Sequence, residues 1–331
     1  MRPSHLMTCA AAAALLAGIG GSPAPAASEV EVTEWDVPWE HSRPRDPWVE
    51  SAERVWFVGQ RDHYVATLDP QSGEFERIDL EDGAGPHTVI WNERGAWYAG
   101  NRADHIGLID AQTGEIERFM LPGDGRRDPH TMDFTSAGDI WFSVQHGNQI
   151  GHLDTESGEI TLHEVATGGA RPYGLLVDDQ DRPWVTLFGT NKLATVDASG
   201  AVAEIELPRA DARPRRLALP GDGTVWYVDY AGGYLGRYDP ASGEVDEWQT
   251  PAGHESRPYA MTSDDDGRLW LFETGIFPNR LVGFDPQTES FTEPVELDSG
   301  GGTVRHMVFD PDSGSIWFGT DTDTVGRAVL K

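Results

Sequence analysis

Residues 129–165 read PHTMDFTSAGDIWFSVQHGNQIGHLDTESGEITLHEV, and nearly the same pattern returns along the whole chain of 331 residues. Its most regular position is a tryptophan followed by an apolar or aromatic residue. This tryptophan occurs seven times, at Trp56, Trp97, Trp141, Trp184, Trp226, Trp270 and Trp317. Successive tryptophans are 41 to 47 residues apart, which is the period of a four-stranded propeller blade. The repeat therefore predicts an all-β fold, a seven-bladed β-propeller of four-stranded blades.

Each repeat contains four short strands separated by turn signals. In the quoted stretch, apolar segments and Gly-containing turns predict strands at 131–134, 139–144, 149–154 and 159–165. No segment shows the apolar spacing of a long helix. The repeated tryptophan lies on the second strand, and we expect it to pack between neighbouring blades because one repeat cannot bury its own sheet face. We interpret these tryptophans as structural.

The N-terminal segment 1–26 has the features of a secretory signal peptide. Arg2 supplies the positive start, an apolar run covers 9–19, and small residues follow at 24–26. This segment predicts a periplasmic or extracellular protein, and residues 27–331 are then expected to form a single propeller domain.

The two ends of the remaining chain complement one another. The segment 29–38 alternates like the fourth strand of a blade, whereas the last repeat ends after its third strand, at 324–330. We therefore expect the N-terminal strand to complete the last blade and to close the ring.

The charge of the chain restricts its partners. It carries 25 basic and 55 acidic residues, for a net charge of −30. Such an acidic protein repels phosphate backbones and anionic lipids, so we expect neither nucleic acid nor a membrane as partner. We expect a monomer whose ligand is a small molecule or a peptide in the central funnel.

Two sets of polar residues are expected at one mouth of the central channel. The first set follows a proline at the start of each blade, except in the last copy; it comprises Trp48, His87, His130, Tyr173, Arg215, Tyr259 and the pair Arg305-His306. Of these, His87, His130, Tyr173, Arg215 and Tyr259 are expected to bind substrate. The second set lies three or four residues after the tryptophan and comprises Gln60, Asn101, Gln145, Asp229, Glu273 and Asp321. Converging carboxylates and amides could hold a hard cation or position a polar substrate, and the expected ligands of a cation are Asp321 and Glu273.

The repeated motifs I-W-F, N-x-I-G and D-x-x-T-G-E-I resemble those of the streptogramin B lyase (virginiamycin B lyase) family. The resemblance extends over about residues 47–330, and Asn148-Gln149-Ile150-Gly151-His152-Leu153 shows it well. It implies a seven-bladed propeller that opens cyclic depsipeptide antibiotics by elimination at an ester, without water and with Mg²⁺.

The resemblance also implies which residues form the active site. It places the site in the last two blades, where His306 matches a catalytic histidine and Asp321 keeps a carboxylate. Two positions depart from the family pattern, because Tyr259 replaces a histidine and Val304 replaces a glutamate. The expected function is a metal-assisted lyase that eliminates at an ester of a cyclic depsipeptide or a related substrate.

Two other functions fit the same residues. One is a propeller that binds a ligand in its funnel without catalysis. The other is a metal-dependent lactonase or esterase, which would hydrolyse its substrate with a metal-activated water. Elimination leaves an alkene and hydrolysis leaves an alcohol, so the products distinguish the two enzymes.

Overall fold

The computed structural model describes residues 30–331. These residues form seven antiparallel sheets, each built on four successive strands, and the sheets pack side by side in a closed ring. The predicted seven-bladed propeller is therefore confirmed. The proposed signal peptide, 1–26, lies outside the described residues. The helical structure in the described part of the chain is one 3₁₀ turn, Gly253–Glu255, and no helix there is long and apolar enough to cross a membrane.

Every blade runs from an inner first strand to an outer fourth strand. The first strands are β2 (Pro44–Ser51), β6 (Val89–Asn92), β10 (Pro129–Phe134), β14 (Pro172–Val177), β18 (Pro214–Ala218), β22 (Pro258–Ser263) and β27 (Met307–Asp310). The second strands are β3 (Arg54–Gly59), β7 (Gly95–Gly100), β11 (Ile140–Val144), β15 (Pro183–Leu187), β19 (Val225–Asp229), β23 (Leu269–Glu273) and β28 (Ser315–Gly319). The third strands are β4 (Tyr64–Leu68), β8 (His105–Asp110), β12 (Gln149–Leu153), β16 (Lys192–Val196), β20 (Tyr234–Tyr238), β24 (Arg280–Asp285) and β29 (Thr324–Leu330). The fourth strands are β5 (Phe75–Asp79), β9 (Ile116–Met120), β13 (Ile160–Glu164), β17 (Val202–Glu206), β21 (Val245–Gln249), β25 (Ser290–Phe291) and β1 (Val30–Asp36), and blade six adds β26 (Val295–Glu296) beside β24.

The N-terminal strand closes the ring as expected. β1 pairs antiparallel with β29 along its whole length, from Val30 opposite Leu330 to Asp36 opposite Thr324. The first strand of blade one then packs against blade seven. Closure in this way pairs the outer edge of β29 and gives the last blade four strands.

The repeated tryptophans lie between blades. Three of them share an apolar cluster with an aromatic side chain of the following blade: Trp56 with Tyr98, Trp97 with Phe142, and Trp317 with Phe57 across the closure. Burial of such a ring stabilises the fold by roughly 1.5 to 3 kcal/mol. The structural interpretation of these residues is confirmed.

The turn after the third strand repeats because its aspartate satisfies local amides. In blade one, Asp69 accepts a hydrogen bond from the Gln71 amide at 2.8 Å, and in blade six Asp285 does the same for Gln287. Gly73, near the end of the first of these turns, has φ of 75°, which glycine adopts without steric cost. These turns lie at the outer strands and face away from the central axis.

Candidate active site at the mouth of the central channel

Strand register identifies which residue of each blade reaches the mouth. The residue after the repeated tryptophan pairs with a residue of the inner strand, and the residue two positions before that partner lies at the mouth. In blade three, Phe142 pairs with Met132, so the mouth residue is His130. In blade seven, Phe318 pairs with Met307, so the mouth residue is Arg305. The same rule gives a ring of seven side chains that line one cavity. The ring consists of Arg45, His87, His130, Tyr173, Arg215, Tyr259 and Arg305.

The ring differs from the sequence-based prediction in two blades, one and seven. In blade one the ring residue is Arg45, not Trp48, because Trp48 pairs with Trp56 and lies in the narrow channel below. The signal was in the sequence: Pro44 precedes Trp56 by 12 residues, as the other blade-start prolines precede their tryptophans by 11 or 12. The second proline of this blade, Pro47, led to the wrong choice of blade-start proline.

In blade seven the ring residue is Arg305, and His306 lies one layer deeper. Val304 takes the place of the blade-start proline, so the residues that flank this place are Thr303 and Arg305. His306 lines the narrow channel of about 80 Å³ instead of the mouth. The structure therefore does not bring His306 and Asp321 together as expected.

The mouth is a wide cavity of about 570 Å³ with an excess of positive charge. Its lining includes three of the expected amides, Gln60, Asn101 and Gln145, and a single carboxylate, that of Asp128. Seven guanidinium groups line the same cavity: Arg43, Arg45, Arg102, Arg126, Arg171, Arg215 and Arg305. Sequence reasoning missed five of them: Arg43, Arg126 and Arg171 lie on loops before blade starts, Arg102 lies on the loop after β7, and Arg45 follows the first of two prolines in blade one. Arg43 and Arg171 share the position directly before the blade-start proline, which was the available signal.

Local backbone geometry presents these loop residues at the mouth. The residue before the blade-start proline has a left-handed conformation in several blades, with φ of 54° at Arg43, 67° at Asp128 and 54° at Arg171. Such conformations cost energy for residues other than glycine and persist where the surrounding structure holds them.

Tyr259 is a mouth residue whose acidity is changed by its charged neighbours. Its hydroxyl is hydrogen-bonded to that of Tyr173 and accepts a bond of 2.8 Å from Arg215 Nη1. Burial by itself would raise the pKa of Tyr259, but the guanidinium groups of Arg215, Arg305 and Arg45 lower it below its usual value. Burial and the adjacent Tyr259 raise the pKa of Tyr173. The two phenols thus form an unequal pair in which Tyr259 loses its proton first.

Arg215 is held in place by aromatic rings. Its guanidinium carbon lies 3.5 Å from the centroid of the Phe188 ring, 4.4 Å from that of Tyr230 and 4.5 Å from that of Tyr259. Stacking of this kind fixes the orientation of the guanidinium plane. Arg215 can therefore donate to Tyr259 without first losing much side-chain freedom.

The floor of the mouth is a buried polar network around Arg216. This residue of blade five donates to Asp46 of blade one at 3.0 Å, to Thr131 of blade three at 2.9 Å and to the Arg305 carbonyl of blade seven at 3.0 Å. Thr88 also donates to Asp46, at 2.8 Å. The network joins blades across the axis and closes the channel beneath the ring.

The three expected histidines are neutral in this environment. Burial, followed by the charge of Arg216, lowers the pKa of His306 to about 3. Burial lowers the pKa of His87 to about 4 and holds that of His130 well below its usual range. The expectation that His306 exchanges a proton near neutral pH rested on an unperturbed imidazole, and burial removes that condition.

The two expected metal ligands have other partners. Asp321 accepts hydrogen bonds from Arg43 and Arg305, and Glu273 is fully buried and accepts from Arg280 and from the Ala252 amide. Within residues 30–331, no group of three or more His, Cys, Asp or Glu side chains is arranged to hold a metal. Carboxylates that are already paired with arginines do not fit Mg²⁺, which needs several free oxygen ligands.

The neutral histidines predict acid sensitivity. Their pKa values in the folded state, about 4 for His87 and about 3 for His306, lie below the unfolded value of 6.5. The unfolded chain therefore binds more protons in this range, and stability is lost as pH falls from about 6.5 toward 4, by up to about 1.4 kcal/mol per pH unit for each histidine. Urea unfolding at several pH values measures this slope.

A His306→Gln variant should show a shallower loss of stability with falling pH than the parent protein. His254 is exposed and gives the matched control, since His254→Gln should leave the slope unchanged. Equal slopes in the two variants would contradict the assignment of a neutral His306.

Comparison with known proteins supports the fold over nearly the whole chain. The model of the virginiamycin B lyase family matches residues 30–328. A virginiamycin B lyase from Nocardia farcinica (strain IFM 10152) is 33% identical over 88 residues, which are 27% of this chain and 31% of that protein. The aligned segment thus spans less than a third of that relative.

Solved structures show the same architecture. A streptogramin B lyase structure superposes with a TM-score of 0.82 at 24% identity, over 91% of this chain and 98% of that one. A catalytically inactive virginiamycin B lyase variant from Staphylococcus aureus, solved with quinupristin, gives the same TM-score and identity over 91% of this chain and 100% of that one. At this level of identity the likeness shows the fold alone.

Proposed function

The chain belongs to the virginiamycin B lyase family, and from this premise we propose that it is an exported carbon–oxygen lyase. The proposal places its active site in the arginine-lined mouth, where the substrate would bind with an ester or a related group against Tyr259. The observation that carries it is the geometry of Tyr259. A phenol stands at the start of blade six with its oxygen between Arg215 and the hydroxyl of Tyr173.

Tyr259 is suited to remove a proton from carbon. A phenolate stabilised by neighbouring guanidinium groups acts as a general base at a pH closer to neutral than an ordinary tyrosine does. The Tyr173 hydroxyl donates to this phenolate and keeps it oriented. In the proposed reaction the phenolate takes the hydrogen next to a carbonyl group of the substrate.

The arginines supply the second requirement of elimination, which is stabilisation of negative charge. As the C–H bond breaks, the carbonyl oxygen gains charge. The guanidinium carbon of Arg305 lies 5.5 Å from the Tyr259 ring centroid, and the positive charge of Arg45 also acts on Tyr259. Fixed positive groups at that position stabilise the enolate. The electron pair then forms the alkene as the C–O bond to the leaving group breaks, and an ester releases a carboxylate. This route uses no metal and no water.

His306 is the rival for the base. Its neutral imidazole lines the channel below the ring, and Nδ1 is buried with no hydrogen-bond partner in the described part of the chain. A substrate group that reached through the ring could meet it. The assignment of His306 stays a prediction, and a His306→Ala variant separates it from Tyr259.

A ligand-binding propeller without catalysis is the second candidate. The same arginine-lined mouth favours it, because guanidinium groups bind an anion whether or not any bond breaks. A metal-dependent lactonase or esterase is less compatible with the mouth, since its carboxylates are paired with arginines.

Product analysis after metal removal tests the proposal. The protein is treated with a chelator and incubated with cyclic depsipeptides and lactones, and the products are examined by mass spectrometry and NMR. We expect activity to survive chelation and the opened ring to keep the mass of the substrate, with new alkene protons. A product heavier by one water would indicate hydrolysis, and activity restored only by Mg²⁺ would return the metal to the mechanism.

A further inference from the structure

The mouth carries far more positive charge than the protein around it. The chain has a net charge of −30, yet seven of its 25 basic residues line this one cavity. The lining carboxylate, Asp128, faces Arg126 at 3.8 Å and His146, and Asp321 is shared between Arg43 and Arg305. The remaining guanidinium groups have no matching carboxylate in the cavity lining. A local field of this sign attracts anions despite the acidic surface.

Arg45 shows that the charge is incompletely compensated. Its side chain is only 4% exposed, and Nε and Nη1 are buried without a hydrogen-bond partner among residues 30–331. Burial, together with the positive charges of Arg305 and Arg43, lowers the pKa of Arg45 to about 10. A buried donor without a partner is costly, and an anion from outside would satisfy it.

We propose that the mouth binds a short uronate oligosaccharide, with one carboxylate held by Arg45 and Arg305 beside Tyr259. This inference rests on the proposed lyase function and names its substrate class. A guanidinium group matches the geometry of a carboxylate, and the arginines spread around the rim suit a ligand with several carboxylates. The cavity volume lies within the range of small-molecule sites, roughly 300 to 1,000 Å³, so a short oligomer fits better than a long chain.

The chemistry of a uronate matches the groups at the site. The carbon that bears the carboxylate also bears a hydrogen, and in a 4-linked uronate the next carbon bears the glycosidic oxygen. Neutralisation of the carboxylate by the arginines acidifies that hydrogen, which passes to the Tyr259 phenolate. The electron pair forms a carbon–carbon double bond, the C–O bond breaks, and Tyr259 returns the proton to the departing oxygen. Atoms and electrons balance without a metal, an oxidant or water.

Calorimetry with a galacturonate trimer and its methyl ester tests the binding. We expect the full-length protein to bind the trimer at least tenfold more tightly than the neutral ester. Arg45→Gln and Arg305→Gln should each weaken binding of the trimer by roughly 10- to 100-fold. Arg54→Gln makes the same charge change at the start of β3, at the opposite end of the blade, and should have no effect. Thermal melting shows which variants fold. If Arg45→Gln does not fold, Arg305→Gln, at a more exposed position, still tests the proposal.

The outcomes distinguish a failure of the uronate proposal from a failure of the proposed lyase function. Arginine-dependent binding of the trimer without an unsaturated product would support the anion site and overturn the lyase. Elimination from a neutral cyclic ester, with no binding of the trimer, would support the lyase and overturn the uronate. Equal affinity for trimer and ester, or tighter binding of an acidic peptide than of the trimer, would also overturn it.

Discussion

A Tyr259→Phe variant is expected to lose roughly 10²- to 10⁴-fold in kcat, which is the usual contribution of a general acid or base. The ring that packs between Tyr173 and Tyr230 remains in the variant, so the fold should be kept. Only the ionisable oxygen is removed. Substrate affinity should change little, because Arg45, Arg215 and Arg305 stay in place. Steady-state kinetics, ligand titration and a melting curve together measure the three quantities.

Tyr230→Phe is the matched control for this loss. The ring of Tyr230 lies 5.6 Å from that of Tyr259 and contacts Arg215, but its hydroxyl has no part in the proposed reaction. This variant should keep most of the activity. If Tyr259→Phe stayed active while His306→Ala did not, the base would be the deeper histidine.

The dependence of the rate on pH also tests whether Tyr259 is the base. Activity requires the phenolate, so the rate should rise with pH through the pKa of Tyr259, which its arginine neighbours lower below the usual tyrosine value of about 10. Tyr173→Phe removes a donor that stabilises the phenolate and should shift the rising limb to higher pH. A profile that fell as pH increased would contradict a phenolate base.

Removal of the N-terminal strand is expected to have the largest effect on stability. A variant that begins after Pro38 lacks all of β1, leaves β29 as an unpaired edge, and should melt far lower or aggregate. The removed segment contributes buried Val30 and Val37, and its Trp35 stacks on Trp317 with ring centroids 5.6 Å apart. At roughly 1.5 to 3 kcal/mol for each buried large side chain, the loss is a sizeable part of a typical stability of about 5 to 15 kcal/mol.

Polar contacts of the same strand add to this loss. Glu34 accepts hydrogen bonds from the Ser299 amide at 3.0 Å and from the Thr324 hydroxyl at 2.8 Å. A variant that begins at Ser28 keeps all of β1 and is the reference for this truncation. Equal melting temperatures for the two truncations would show that β1 does not secure the ring.

The sequence by itself determined the architecture, because every feature of a blade is local. The strand alternation, the Asp and Gly of the turn after the third strand, and the tryptophan between blades all recur within one repeat. Even the closure could be predicted, since a surplus strand at 29–38 complemented a missing one after 324–330. A ring of stacked repeats needs no further long-range information.

The sequence also predicted three amides of the mouth, Gln60, Asn101 and Gln145, and five of its ring residues: His87, His130, Tyr173, Arg215 and Tyr259. Their position after a proline at a fixed distance from the tryptophan is again a property of one repeat. The sequence-based prediction of the ring was wrong where the local pattern was ambiguous. These places are the start of blade one, which has two prolines, and the start of blade seven, which has no proline.

Only the tertiary structure decided what these residues meet, because ring closure brings together groups from distant blades. Arg216 and Asp46, which form the floor of the mouth, are 170 residues apart in sequence. Asp321 had been expected to hold a cation, but closure places it beside Arg43, so it pairs with arginines instead. The charge and protonation of each mouth residue depend on such cross-ring neighbours and on burial, and neither is encoded in the pattern of a single blade.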